Sequence, residues 1–388
     1  MIKHIFILIW NKRRSNFLLF LEIFISFFIL FAVFTLITER MRNYSTPLGF
    51  ETDNIWLGYM NLWEEDSTTM VEMKQTLKRE LLTFNEIESV SFGNTVAPFS
   101  GSMSTSANDD NGFEWSSRIF AADENFKKTL GLNLIEGRWF NETDNGQKYQ
   151  PVVITKKIID LYFKDRPYLD SIFEFSNKEN KIVGVIDNYK YEGEFEEEYQ
   201  ATFFYEPISS DWATMLYIRV KDNSGPVLEE KINKLMNEVT KKNDCVIQYL
   251  EKNRIENSRS YWIPITALLI ICGFLVFNVA LGLFGVLWYN ISKRKAEIGL
   301  RRTLGATQNA IARQFVGEIL MITLIGILIG LFFAVQFPLM QLFEMENINY
   351  YYAMAIAAFI IFILVLICTF YPSRQAAVIH PALALHED

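Results

Sequence analysis

Apolar positions along the chain gather into four long runs, each close to the roughly 20 residues that a helix needs to cross a hydrocarbon core. Phe17 to Thr38 carries one charge, Glu22; Ile263 to Tyr289 carries none; Phe315 to Phe337 carries only Glu318; and Tyr351 to Phe370 is again uncharged. Runs of this length and purity predict four membrane-spanning helices over 17–38, 263–289, 315–337 and 351–370, one ahead of a large polar segment and three behind it. The first run is longer than the apolar core of about 7 to 15 residues in a secretory signal. It is followed by Glu39-Arg40-Met41-Arg42 with no small-residue cleavage site, so it is expected to stay as an anchor.

The polar segment, 39–258, changes period. Asn54 to Tyr59 reads as a strand, Ser67 to Phe84 as a helix with Met70, Met73, Leu77 and Leu81 on one face and Asp66 or Ser67 as N-cap, and Ile87 to Phe92 as a strand. The pattern returns near the end of the segment. Met215 to Val220 and Val246 to Leu250 read as strands around a helix, Val227 to Thr240, whose apolar positions include Val227, Ile232, Leu235 and Val239. Two such βαβ halves can share one sheet. Between them lie a Gly/Ser/Asn/Asp-rich stretch, Gly93 to Gly112, expected to be a surface loop, and a middle region with strands at Ser117 to Ala121, Val152 to Thr155 and Lys181 to Ile186. An acidic run, Glu192 to Glu198, reads as a solvated face or as a contact for a basic partner.

Charge gives the membrane part a direction. Lys3, Lys12, Arg13 and Arg14 precede span one, six basic residues from Lys293 to Arg313 lie between spans two and three, and Arg374 follows span four; the 338–350 loop has none. By the positive-inside rule the 1–16 arm, the 290–314 link and the 371–388 tail are cytoplasmic, and 39–258 and 338–350 are outside. The overall charge of −8 then divides into an outside segment with 38 acidic and 25 basic residues and a remainder with 7 and 12. An acidic outer surface argues against nucleic acid as a partner. Cys245 stands alone in the outer segment, with Cys272 and Cys368 in spans, so that segment folds without an internal disulfide. The expected fold is an integral membrane α-helical protein with four spans and an α+β extracytoplasmic domain.

Motifs for chemistry are missing from the sequence. A phosphate-cradling loop needs G-x-x-x-x-G-K-[ST], and the nearest string, Gly299 to Thr307, has another spacing and Ala306 in place of the lysine. His4, His380 and His386 lie near neither cysteine nor a carboxylate cluster, and no Gly-x-Ser-x-Gly elbow occurs. The chain is therefore read as non-enzymatic, without catalytic residues, cofactor or metal of its own. Glu22 and Glu318 are the intramembrane candidates for ion coupling, although each lies within about two turns of the cytoplasmic end, where a carboxylate reaches the interface. Gly326 and Gly330 in span three serve either close helix packing or a lipid-facing surface.

The 290–314 link holds the densest pattern: Ser292-Lys-Arg-Lys-Ala-Glu-Ile-Gly-Leu-Arg-Arg-Thr-Leu-Gly-Ala-Thr307. Glu297 and Arg301 are an i, i+4 pair, Ile298, Leu300 and Leu304 supply apolar contacts, Gly305 suits a left-handed helix end, and Thr307 suits the N-cap of the helix that follows. From the residues alone this is either a stiff amphipathic helix for a partner or a basic segment lying on anionic lipid.

Glu297-Ile-Gly-Leu-Arg-Arg-Thr-Leu-Gly-Ala306 is similar to the segment E-I-G-x-x-[RK]-x-x-G-A of FtsX-like, MacB-type permeases of ATP-binding-cassette systems. The tail Pro372 to Leu385 resembles that family's P-x-x-x-A-x-x-x-x-P-x-x-A-L ending, and Leu130 to Phe140, Pro151 to Ile154 and Ile182 to Ile186 are similar to the MacB-type periplasmic core. These matches stand in the family's order, and so does the one-then-three arrangement of spans. The resemblance implies that Arg294, Glu297, Ile298, Gly299, Arg301, Arg302, Leu304 and Gly305 form a coupling helix resting on a separate ATPase subunit, which holds ATP and Mg. It also implies that two permeases pair, as a homodimer or heterodimer in the bacterial inner membrane, and that ATP-driven motion reaches the periplasmic domain. That domain would carry porter-like βαβ halves and an inserted subdomain at about 123–206. Export of a peptide, antibiotic or lipid-linked substrate, with a periplasmic adaptor, is the leading expectation; lipoprotein release and control of a cell-wall hydrolase are alternatives within the family. Outside it, the alternative is a membrane sensor signalling through a partner, since the terminal arms are too short for an output module.

Overall fold

The computed structural model describes residues 13–62, 65–94, 97–100, 105–110, 113–164, 166–175, 178–211, 213–293, 298, 300, 301 and 303–378. The chain divides into two compact units, one formed by 1–41 with 263–388 and the other by 42–262. Among the described residues the first holds four long helices, α1 (Arg13–Ser45), α6 (Leu250–Lys293), α7 (Gln308–Ala334) and α8 (Asn347–Val378), with short turns at Gln336–Leu339 and Leu342–Glu344; the ranges of α1 and α6 continue into the second. All four are long and apolar enough to span a membrane. The protein is an integral membrane protein.

Residues four apart form the seams of the membrane unit, because successive turns of a helix present them on one face. Leu19, Ile23, Phe27 and Phe31 of α1 are buried, as are Ala353, Ala357, Ile361 and Val365 of α8, and both rows meet Ile319, Ile322 and Ile327 of α7. Small and branched residues on α8 let it lie close along α7, while the phenylalanines of α1 fill the remaining volume.

In the α+β unit the elements after α1 are β1 (Ile55–Tyr59), α2 (Ser67–Leu81), β2 (Ile87–Asn94), β3 (Thr105–Asp110), β4 (Phe113–Ala122), α3 (Phe126–Leu130), β5 (Leu134–Gly137) and β6 (Gln150–Thr155). They continue as α4 (Lys156–Tyr162), β7 (Ile172–Phe175), β8 (Lys178–Ile186), β9 (Ala201–Tyr205), β10 (Ala213–Val220), α5 (Pro226–Thr240) and β11 (Val246–Tyr249). One sheet runs β11-β1-β10-β2-β4-β9-β6-β8-β5, with β3 on β4 and β7 on β8. The two βαβ halves interleave: β10 lies antiparallel between β1 and β2, and β1 antiparallel between β10 and β11. This is the split-βαβ arrangement, with α2 and α5 supplying its helices.

Local chemistry explains the element ends. Asp66 caps α2, its Oδ1 accepting from the backbone N–H groups of Thr68 and Thr69, both at 3.0 Å. Asp66→Ala removes the cap and is expected to lower the thermal midpoint of the detergent-solubilised chain. The buried face of α2 includes the expected Met70, Met73, Leu77 and Leu81, together with Lys74, whose ammonium donates to the carbonyls of Ser210 at 2.5 Å and Ala213 at 3.3 Å. On α5 the buried face is shifted from the expected one: Leu228, Ile232, Met236 and Thr240 point inward, and Val227 is 68% exposed. Pro226 opens that helix, and the packing of Leu228, Ile232 and Met236 on the sheet leaves Val227 in the first turn on the solvent side.

The middle region joins the split-βαβ part through a single ladder pair, Gly93 with Ala122. By contrast β4 runs parallel to β9 over five positions, which places Phe113–Ala122 with the middle strands and ahead of residue 123. Where the ladder stops, Asp123 takes over: its carboxylate accepts from Ser91 Oγ at 2.6 Å and from the Phe92 N–H at 2.9 Å. Burial pushes that carboxyl up to about 6, against those hydrogen bonds and Lys78 at 3.9 Å. Gly93 is needed at this crossing, since a Cβ there would lie 2.6 Å from the Phe126 ring.

Two expectations are corrected here. Thr105–Asp110, inside the stretch read as a surface loop, pairs with β4 at six positions; a strand this polar is held by its ladder and leaves no apolar alternation to find. The acidic run is no solvated face either, because Phe195 is fully buried and Glu192 meets Arg118 at 2.6 Å.

Candidate functional site

The link between α6 and α7 is the densest motif of the sequence, and its described residues build a short helical turn folded onto α7. Ile298 is buried against Ile311 and Phe315, with Ala306 beside them. The Leu304 N–H donates to the Leu300 carbonyl at 3.1 Å and the Ala306 N–H to that of Arg301 at 3.0 Å, while Gly305 sits at φ +92°. A six-to-one hydrogen bond over a left-handed glycine is how a helix ends and reverses. Thr307 then caps α7, its Oγ1 accepting from the Ala310 N–H at 3.2 Å.

This packing fixes which side chains face outward. With Ile298 turned inward, Leu300 is 55% and Leu304 is 80% exposed. Two exposed leucines beside the turn form an apolar patch that no described residue covers. Arg301 donates to Gln314 Oε1 at 2.8 Å, and Gln314 Nε2 donates to Glu318 Oε1 at 3.0 Å. Glu318 is thus tied into a polar relay with the link across the start of α7, a pairing invisible in the sequence because 17 residues separate Arg301 from Glu318. Arg294, Glu297, Gly299 and Arg302 lie outside the described residues, so the Glu297–Arg301 pair does too.

Gly326 and Gly330 are both buried, facing α1. A Cβ at Gly326 would lie 3.0 Å from Ile23 Cγ2, and one at Gly330 would lie 2.5 Å from the Phe27 ring. The intramembrane Glu22 lies against a third glycine, Gly282 of α6, where a Cβ would fall 2.1 Å from its Oε1. Gly282 was not singled out by sequence reasoning; its signal is a single glycine on a span that faces the lone charge of another. Among the described residues no group of three or more His, Cys, Asp or Glu side chains is placed to hold a metal ion.

Fold and link together define a polytopic membrane protein with a large α+β domain between its first two spans and a structured turn between the second and third. The chain matches the MacB-like periplasmic core domain over residues 17–235 and the FtsX-like permease C-terminal domain over residues 269–381. It belongs to the family of MacB-type, FtsX-like permeases. Its relatives include the macrolide export ATP-binding/permease protein MacB of Bartonella quintana, 25% identical over 285 residues that cover 70% of this chain and 42% of that protein. Another is the probable syringafactin export ATP-binding/permease protein SyfD of Pseudomonas syringae, 26% identical over 290 residues, 70% of this chain and 43% of that protein. The chain spans about two-fifths of the length of these relatives. Among solved structures, the periplasmic region of MacB from Actinobacillus actinomycetemcomitans is 16% identical with a TM-score of 0.39, covering 56% of this chain and 98% of that one.

Proposed function

We propose that this chain is the permease subunit of an ATP-binding-cassette exporter, converting ATP hydrolysis on a partner ATPase into motion of its α+β domain. The observation that carries the proposal is the apolar patch of Leu300 and Leu304, held outward by buried Ile298 and by the Gly305 turn. A rigid apolar knob flanked by basic residues fits a shallow cleft on a protein partner, where two leucines can be buried without ordering a mobile segment. In this reading ATP and Mg are held by that partner; the 388 residues contain no G-x-x-x-x-G-K-[ST] string. The Lys/Arg distribution supports a reading with the link and both termini on the cytoplasmic side of the bacterial inner membrane and the α+β domain in the periplasm.

A second permease is the further partner. On α6 the five most exposed large apolar side chains among the described residues of the span are Ile263, Ile270, Phe274, Phe277 and Leu281, spaced seven, four, three and four residues apart. That is a heptad stripe, the spacing by which one helix packs along another. The names of the relatives, macrolide and syringafactin export, support export as the activity, with a peptide, antibiotic or lipid-linked compound as the substrate class and a periplasmic adaptor as a further partner in this reading.

Deleting the chain is expected to raise susceptibility to a toxic amphiphile or to stop release of a lipopeptide, and the Leu300→Glu/Leu304→Glu form is expected to fail to restore either. If no compound in a broad panel shows this while a periplasmic cell-wall hydrolase loses activity, regulation of that hydrolase replaces export.

A further inference from the structure

The acidic run that resembles a solvated face is the centre of a clasp. Lys190, 1% exposed, directs its ammonium to the carbonyl of Asn43 at 2.6 Å, the Thr46 hydroxyl at 3.0 Å and the Glu194 carbonyl at 2.7 Å. Three donors meet three acceptors, two of them at the end of α1. Burial pushes the Lys190 ammonium down to about 8, opposed by Glu194, Glu198 and Glu196, so it stays charged at neutral pH. Asn43 answers from the helix side, donating through Nδ2 to the Phe195 carbonyl at 3.2 Å.

Four residues on, the same segment holds the start of α6. Glu194 accepts from Arg254 at 2.7 Å and 2.9 Å through one oxygen and from the Ser258 hydroxyl at 2.7 Å through the other. Glu196 accepts from the Tyr261 hydroxyl at 2.8 Å. Between these polar arms Phe195, fully buried, stacks on Tyr44 at 4.9 Å and on Tyr261 at 5.4 Å and meets Trp262 edge-on at 5.3 Å. At its other side the segment is bolted to the sheet: Arg118 of β4 pairs with Glu192 at 2.6 Å, donates to the Tyr191 hydroxyl at 2.8 Å and lies 3.4 Å over the Tyr199 ring.

We infer that Lys190 to Glu196 is the joint through which movement of the two helix ends, Asn43–Thr46 and Arg254–Trp262, is passed to the middle strands of the sheet. The inference rests on the permease reading for its functional consequence and on the contacts alone for its mechanical one. The middle strands meet the split-βαβ part through the Gly93–Ala122 pair, the Asp123 contacts to Ser91 and Phe92 and a shared hydrophobic core, so a displacement passed from the helix ends reaches the whole sheet. Lys190, Glu194 and Phe195 are positioning residues. They touch no nucleotide and lie in a different unit from the link.

Two measurements on the full-length chain test this. The first uses nitroxide labels on Ser45→Cys and Arg259→Cys, in a background lacking the three native cysteines. A narrow distance distribution is expected, broadened by Lys190→Met and by Glu194→Arg, and narrowed again when Glu194→Arg is combined with Arg254→Glu. An unchanged distribution in both single variants overturns the joint whatever the protein transports. In the second, the permease is reconstituted with its ATPase. Both single variants should keep binding and hydrolysis at the unaltered rate yet lose substrate movement at least tenfold, with the Glu194→Arg/Arg254→Glu form regaining it. Full transport by the single variants overturns the joint; absence of ATP-dependent transport by the unaltered chain overturns the permease reading and leaves the distance measurement standing.

Discussion

Replacing Leu300 and Leu304 together by glutamate is expected to abolish recovery of an ATPase with the affinity-purified permease while leaving the yield and thermal midpoint of the permease unchanged. Both side chains are exposed among the described residues, so their replacement is expected to act on a partner and not on the fold. Burying two leucines contributes about 3 kcal/mol, roughly a hundredfold in affinity, before the repulsion of two carboxylates entering an apolar cleft is counted. The contrasting variant is Ile298→Ala. Ile298 packs inward on Ile311 and Phe315. Its truncation should loosen the turn and lower stability by about 2 to 4 kcal/mol, so a loss of ATPase binding there comes with a lower thermal midpoint.

The second large effect concerns the seam between α1 and α7. Gly330→Leu places a branched side chain where a Cβ alone would already lie 2.5 Å from the Phe27 ring, and Phe27 is fully buried between Phe28 and Phe31. The ring is packed against Phe28 and Phe31, so admitting the new side chain requires a shift in the seam. Overpacking of this kind costs about 1 to 3 kcal/mol, and more when a backbone has to shift. A drop of several degrees in the thermal midpoint of the detergent-solubilised chain is the expected readout. Gly273→Leu is the control: a Cβ at Gly273 meets nothing within 4 Å, and the midpoint should hold.

Much of this architecture is legible in the sequence, for physical reasons that also mark where it stops being so. Four apolar runs give four helices because a lipid-spanning helix needs length and purity and little else. Asp66, Thr307 and Gly305 reveal element ends because cap chemistry is local. The strand Thr105–Asp110 stays hidden since its sequence, TSANDD, offers neither β-branched runs nor alternation; its partner β4 supplies the order. The face of α5 is misjudged by one position because Val227 and Leu228 are adjacent and only packing decides between them.

The clasp is hidden for a different reason. Five glutamates between 192 and 198 look solvated when counted, and three of them, Glu192, Glu194 and Glu196, instead find Arg118, Arg254 and Tyr261 at separations of 60 to 74 residues. The one local sign is Phe195, an aromatic in the middle of the run. Lys74 and Lys190 give no sign either, since most of the acceptors that answer their buried ammoniums are backbone carbonyls, which no residue type marks in the sequence. In the link the geometry of the turn could be foreseen, whereas the exposure of Leu300 and Leu304 follows only from Ile298 taking the inward position.

The central claim is that this knob meets an ATPase and not the lipid surface. A photoactivatable amino acid in place of Leu304, irradiated in living cells, tests it most directly. The predicted adduct joins the permease to a nucleotide-binding ATPase chain and disappears when that ATPase is deleted. Adducts confined to lipid, unaffected by removal of every candidate ATPase, would contradict it and return the link to a basic segment lying on the membrane.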